Sequence, residues 1–293
     1  MRWLFVLVSA LILTTGAFAE RHHYGCGMCM STDDNNGEIT DCNQMRVTID
    51  DQPAVRAEET LSVGSLRSLA VRAPQNGGIY VMGSSSGGYE VKACKAASIE
   101  SALNDIRVHV SGNEVTADGP ANERWVVYFL VRAPKAAALN LSAHNGPIAL
   151  RNVDGSVTAR TLNGPLSIRD SSGNIDLQAT NGPISLDGGS GMVKLSATNG
   201  PITVKLRGDS WDGSINAHTE NGPVSLRMPA SFRSGVVVES EGRGPVSCRA
   251  EACRQARRTW DDEDNRRIEL GSGSMVVHLS TVNGPVAVRE NED

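Results

Sequence analysis

The chain has 293 residues, 40% hydrophobic and 21% charged, with 30 glycines, only 4% aromatic residues and a net charge of −5. That length supports one or two domains with a sizeable core, and a mildly acidic composition without a basic stripe argues against nucleic acid or anionic lipid as a partner. After Glu20, charge, Gly or Pro interrupts every apolar run well short of the ~20 residues a membrane-spanning helix needs.

At the N-terminus, Arg2 precedes an apolar run over residues 3–13 and the small-residue triplet Ala17-Phe18-Ala19. This order reads as a signal peptide over residues 1–19, cleaved before Glu20, and predicts an exported protein, periplasmic or secreted. Residues 20–59 are polar and are expected to form a mostly irregular lead-in held by disulfides. The six cysteines are Cys26, Cys29, Cys42, Cys94, Cys248 and Cys253, and in an oxidising compartment an even count points to disulfides. Cys248 and Cys253 lie far from the others and are expected to pair with each other, which leaves three arrangements open for the remaining four. His22, His23, Cys26, Met28, Cys29, Met30 and Cys42 also gather soft ligands suited to Cu(I) or Zn(II). Oxidation of the thiols is the stronger expectation for an exported chain, so no metal or cofactor is assigned.

Residues 60–140 carry looser periodicity. Val71-Arg72-Ala73-Pro74 and Val131-Arg132-Ala133-Pro134 are identical tetrapeptides, separated by Asn76-Gly77-Gly78 and a Ser/Gly stretch. They predict degenerate coils that continue and cap a regular stack over residues 141–289, with a short tail at 290–293.

In that stack Asn-Gly-Pro begins at Asn145, Asn163, Asn181, Asn199, Asn221 and Asn283, with a degenerate Arg243-Gly244-Pro245. A short alternating strand follows each proline, as in Ile184-Ser185-Leu186, and a second strand opens at Val157, Ile175 and Val193 after a Gly-containing turn. Each unit of ~18 residues is therefore strand, corner, strand, corner. A two-residue hairpin at Asn163-Gly164 would need an N–H on the next residue, and Pro165 has none. The pattern thus predicts an all-β chain folded as a parallel β-solenoid with Asn-Gly-Pro corners, the alternative being an antiparallel sandwich or meander. Asn and Gly at the corners suit left-handed backbone, and stacked asparagines could hydrogen-bond from coil to coil.

The succession Trp125-Val-Val-Tyr-Phe-Leu-Val-Arg-Ala-Pro134, Leu139-Asn-Leu-Ser-Ala-His-Asn-Gly-Pro147, the repeated short strands, and Arg267-Ile-Glu-Leu-Gly-Ser-Gly-Ser274 leading to Leu279-Ser-Thr-Val-Asn-Gly-Pro285 resembles the putative-adhesin family of bacterial β-strand-repeat proteins. The resemblance covers roughly residues 60–289. It implies an exported all-β repeat and supplies no catalytic, cofactor-binding or metal-ligating residue to transfer.

Candidate chemistry is thin. Asp154, Asp170, Asp187, Asp209 and Asp212 fall near successive second corners, where carboxylates could line an edge for glycan hydrolysis, although Asp is also an ordinary turn former. Gly188-Gly189-Ser190-Gly191 begins a calcium-binding nonapeptide, but Val193 stands where Asp belongs. His109, His144, His218 and His278 are isolated from any nucleophile grammar. Trp211 could stack on a sugar, with burial beneath its loop the favoured expectation. Residues 248–267 interleave arginines with Asp261, Asp262, Glu263 and Asp264 and read as an exposed excursion. The leading function is a non-enzymatic, adhesin-like interaction module that meets a protein, a glycan or further copies of itself. The runner-up is a carbohydrate-active enzyme or glycan-binding protein using the carboxylate edge.

Overall fold

The structure, a computed structural model, describes residues 27–32, 38–242, 244–260 and 266–291. The expected signal peptide, His22, His23, Cys26 and residues 261–265 lie outside the described residues.

The repeat builds two kinds of strand. Behind each proline runs a short one, Ile148–Arg151, Leu166–Arg169, Ile184–Asp187, Ile202–Lys205, Val224–Met228 and Val286–Glu290, whose first and third residues are buried. Past the second corner a longer one runs to the next asparagine: Ala138–Asn145, Ser156–Asn163, Asn174–Asn181, Gly191–Asn199, Gly213–Asn221 and Met275–Asn283. Each pairs in parallel with its counterpart in the neighbouring unit, so that Ile184 lies between Leu166 and Ile202, and Ile175 between Val157 and Val193. The meander alternative therefore does not describe these strands. Short strands align in an 11-stranded sheet and long strands in a 12-stranded sheet. Their inward aliphatic side chains, such as Ile184 and Leu186 from one and Ile175 and Leu177 from the other, share one core. Each such side chain contributes about 1.5–3 kcal/mol on full burial.

Neither sheet is parallel throughout, which corrects the expectation of a uniform stack. At one end Tyr89–Ala97 pairs antiparallel with Trp125–Pro134 and with Val55–Gly64, and Arg107–Ser111 with Glu114–Asp118. At the other, Arg266–Leu270 pairs antiparallel with Gly235–Ser240 and Arg257–Trp260. These hairpins close the stack with charged edges that discourage further strand addition. Glu58 and Glu59 on the outermost strand meet Lys92 and Lys95 at 3.6 and 2.8 Å. At the far end Arg257 and Arg267 both pair with Glu269, and Arg267 also with Glu239. The segment read as an exposed excursion thus forms a short 3-10 helix, Glu251–Gln255, and two strands of the 12-stranded sheet.

Stack order also departs from sequence order, against the linear arrangement expected. Ser68–Arg72 and Ile79–Ser84 pair directly with Ala138–Asn145 and Ile148–Arg151, and the chain between supplies the cap. Met275–Asn283 and Val286–Glu290 lie against Gly213–Asn221 and Val224–Met228, while the earlier strands Gly235–Ser240 and Val246–Cys248 sit outside them. The corner chemistry accounts for this inversion. Asn283 continues the asparagine column with its amide 3.0 Å from the Asn221 side-chain oxygen, which the degenerate corner before Gly244-Pro245 has no asparagine to do.

The lead-in is more ordered than expected. Met28–Thr32, Met45–Ile49 and Gln52–Pro53 make a three-stranded antiparallel sheet. Met45, Val47 and Ile49 bury against Tyr80, Tyr128 and Cys94 on the outer face of the 11-stranded sheet, forming a second core. Binary alternation over residues 45–49 drives this, because a half-buried strand needs a surface to cover.

Cys42 is bonded to Cys94 across a sequence separation of 52, and Cys248 to Cys253 across 5; Cys29 is also disulfide-bonded. Loop-closure entropy makes the long link worth about 4 kcal/mol and the short one about 2. Cys42→Ala/Cys94→Ala should therefore lower the melting temperature more than Cys248→Ala/Cys253→Ala. Equal melts would show that neither link constrains the unfolded chain as this reasoning requires.

Candidate functional site

The corner column is the most regular feature. Each asparagine amide donates to the side-chain oxygen of the asparagine on the preceding rung: Asn163 to Asn145 at 2.8 Å, Asn181 to Asn163 at 2.9 Å, and Asn199 to Asn181, Asn221 to Asn199 and Asn283 to Asn221 at 3.0 Å. Asn145 extends it to Asn76 at 3.2 Å. Asn76 was not among the corners assigned from sequence, since Gly77-Gly78 replaces Gly-Pro; an Asn-Gly search without the proline would have found it.

Backbone bonds run the opposite way, to the following rung, as from Gly164 N–H to the Asn181 carbonyl at 3.0 Å and from Leu166 N–H to the Pro183 carbonyl at 2.9 Å. Left-handed backbone, expected at these corners, is not why Asn and Gly occupy them. None of the corner asparagines has positive φ, and of the corner glycines only Gly182 does, at a near-extended 157°. Glycine is required because a Cβ at Gly164 would stand 2.2 Å from the Gly146 carbonyl oxygen one coil away. Thr161, Thr219 and Thr281, buried beside the corners, donate their hydroxyls to Gly146, Gly200 and Gly222 carbonyls, which leaves these polar groups satisfied.

The second corner engages three of its carboxylates with partners. Arg207 holds Asp170 at 2.7 Å and Asp187 at 2.8 Å, while Asp154 accepts from the Ser172 hydroxyl at 2.9 Å. Asp209 and Asp212 are exposed. Trp211 is buried, with its indole N–H on the Gly191 carbonyl at 3.0 Å, so it offers no sugar platform. His109 pairs with Asp118, His218 with Ser280 and His278 with Glu239, each at 2.8 Å. His144 is exposed on the long-strand sheet.

Met28, Cys29 and Met30 share one strand, but Cys29 and Cys42 are consumed in disulfides. Among the described residues no three His, Cys, Asp or Glu side chains converge on a metal position. A cavity of about 330 Å³ at the seam of the lead-in sheet is lined by Thr40, Asp41, Tyr80, Glu90, Lys92 and Leu130 among others. Burial pushes the Tyr80 phenol upward, and Tyr128 beneath it further. Both stay protonated at neutral pH and supply no base.

The expectation of no basic stripe fails. The residue four places after each corner proline is Arg151, Arg169, Asp187, Lys205, Arg227, Arg289 or, after Pro245, Arg249. Parallel pairing sets the first six side by side on the outer face of the 11-stranded sheet. Cations separated by 18 or more residues are scattered in sequence and adjacent in the stack.

A ladder of strands in mixed sheets, closed by charged hairpins and with its buried polar groups largely partnered, defines a β-strand-repeat scaffold. The chain belongs to the Toastrack DUF4097 family, whose model matches residues 29–289. No protein of curated function matches it. Among solved structures it is similar to a putative cell adhesion protein from Clostridium sporogenes (12% identity, 81% of this chain and 100% of that one, TM-score 0.28). It is also similar to putative adhesins from Bacteroides fragilis (13%, 80% and 97%, TM-score 0.35) and Parabacteroides merdae (11%, 81% and 96%, TM-score 0.26). At those scores the family assignment rests on the sequence match. No helix among the described residues is long and apolar enough to cross a membrane.

Proposed function

We propose that the protein is an exported, non-enzymatic interaction module, released from a signal peptide at residues 1–19 and built around a parallel β-solenoid of Asn-Gly-Pro coils over residues 60–289. The asparagine column carries this reading. Six amide bonds, the longest 3.2 Å, tie seven side chains into one edge, which makes a stiff support for binding faces rather than a mobile active site. Support for a binding role also comes from the engagement of Asp170 and Asp187 by the one guanidinium of Arg207, because glycan hydrolysis needs two carboxyls turned to the substrate at a spacing of ~5–9.5 Å.

The test offers the protein a panel of defined polysaccharides and measures both retention and release of new reducing ends, with sedimentation to detect self-association. Retention or self-association without cleavage is expected. Catalytic release of reducing ends, abolished by Asp170→Asn or Asp187→Asn, would replace this reading with the hydrolase one.

A further inference from the structure

We propose that the outer face of the 11-stranded sheet, at the end away from the lead-in, binds a linear anionic polysaccharide, carboxylated or sulfated. The proposal rests on the interaction reading above and assigns its partner a chemistry.

The face is divided. Toward one end the lead-in sheet covers it, through Met45, Val47 and Ile49 on Tyr80 and Ala149. Toward the other, Lys205, Arg227 and Arg289 stand in register on adjacent parallel strands. Arg249 follows the paired residue Cys248, its N–H on the Val288 carbonyl at 2.9 Å, and is exposed. At ~4.8 Å per strand the four cations span about 14 Å in a straight row. Lys205, Arg289 and Arg249 enter no ion pair among the described residues. Arg289 and Arg249 set like charge beside like charge on neighbouring strands, which opposes the fold, so an anion laid there relieves a repulsion the stack itself creates. This is a net attraction located on one face of an otherwise acidic chain.

The second outward row selects among polyanions. Thr203, Ser225 and Ser247 line up with Ala287 between the last two, giving hydroxyls to hydrogen-bond sugar oxygens beside the charges. No aromatic side chain stands in either row to stack a nucleobase, and no large apolar one to enter a bilayer. The opposite, long-strand face lacks such a row: its register runs Thr158, Asp176, Lys194, Asn216, His278 on one line and Arg160, Gln178, Ser196, His218, Ser280 on the next.

The experiment measures binding of fluorescently labelled polygalacturonate and heparin to the protein, with neutral dextran, a short DNA duplex and phosphatidylglycerol vesicles as comparison ligands. Polygalacturonate or heparin should bind, dextran should not, and affinity should fall about tenfold or more as salt is raised to 0.5 M, where screening shortens to a few ångström. Lys205→Ser/Arg289→Ser/Arg249→Ser should abolish binding while melting no lower than the parent. Arg160→Ser/Lys194→Ser on the opposite face should bind as the parent does. Equal binding by the triple variant, or tighter binding of DNA or vesicles through the same three residues, overturns the proposal. Absence of binding without cleavage overturns this inference alone, whereas cleavage of the polysaccharide overturns the interaction reading beneath it.

Discussion

Leu186→Asp is expected to leave the protein unfolded at room temperature, while Ser185→Asp, one residue away, melts within a few degrees of the parent. Leu186 is 1% exposed and lies in register with Ile168 and Val204 inside the shared core. The substitution forfeits about 1.5–3 kcal/mol of burial and places a carboxylate where no cation reaches it, a further penalty of several kcal/mol unless it takes up a proton. The sum exceeds about 5 kcal/mol, comparable to the whole stability of an ordinary domain. Ser185 points to the opposite side of the same strand, half-buried on the face that carries Arg169 and Arg207, and an added carboxylate there is solvated. Circular-dichroism melts of the two variants decide the matter. Similar losses would remove the assignment of inside and outside to the short strands.

That assignment was legible from sequence because strand alternation has period two and the Asn-Gly-Pro markers fix its phase. The same markers made the corner asparagines visible. What periodicity cannot show is which unit lies beside which. Asn283 follows Asn221 in the stack although Gly244-Pro245 comes between them in sequence, since pairing is decided by complementary corners rather than by chain order. The row of Lys205, Arg227 and Arg289 escaped for a related reason: overall charge is a sum, whereas a stack selects one residue per coil and sets the selected ones about 4.8 Å apart. Reading the repeat column by column, instead of along the chain, would have exposed it. In the lead-in, polar composition hides a short alternating strand whose apolar positions, Met45, Val47 and Ile49, need a partner surface that only the folded sheet provides. At the corners the residue types were right and the cause assigned to them was wrong; the pressure on glycine comes from the neighbouring coil, not from its own φ.

That cause yields the second large effect. Gly200→Ala should destabilise the protein by about 3 kcal/mol or more, the upper range for overpacking a close backbone contact. An added Cβ would stand 2.1 Å from the Gly182 carbonyl oxygen, a backbone atom fixed between coils that cannot rotate aside as a side chain can. The coils must part at this corner, which stretches the bond from Gly182 N–H to the Asn199 carbonyl at 3.0 Å and the amide bond from Asn199 to Asn181 at 3.0 Å. Gly87→Ala is the control, since nothing lies within 4 Å of its Cβ position and its φ is not positive; loss of unfolded-state entropy should make it neutral or slightly stabilising. Asn199→Ala separates sterics from hydrogen bonding, because it removes the two amide hydrogen bonds that Asn199 makes, to Asn181 and from Asn221, while leaving the close approach intact. On an exposed edge the two together are worth about 1–2 kcal/mol. Urea titrations should therefore rank the losses Gly200→Ala, Asn199→Ala, Gly87→Ala. A loss at Asn199→Ala equal to or greater than that at Gly200→Ala would mean that the amide column, and not the contact between glycine backbones, sets the spacing of the coils.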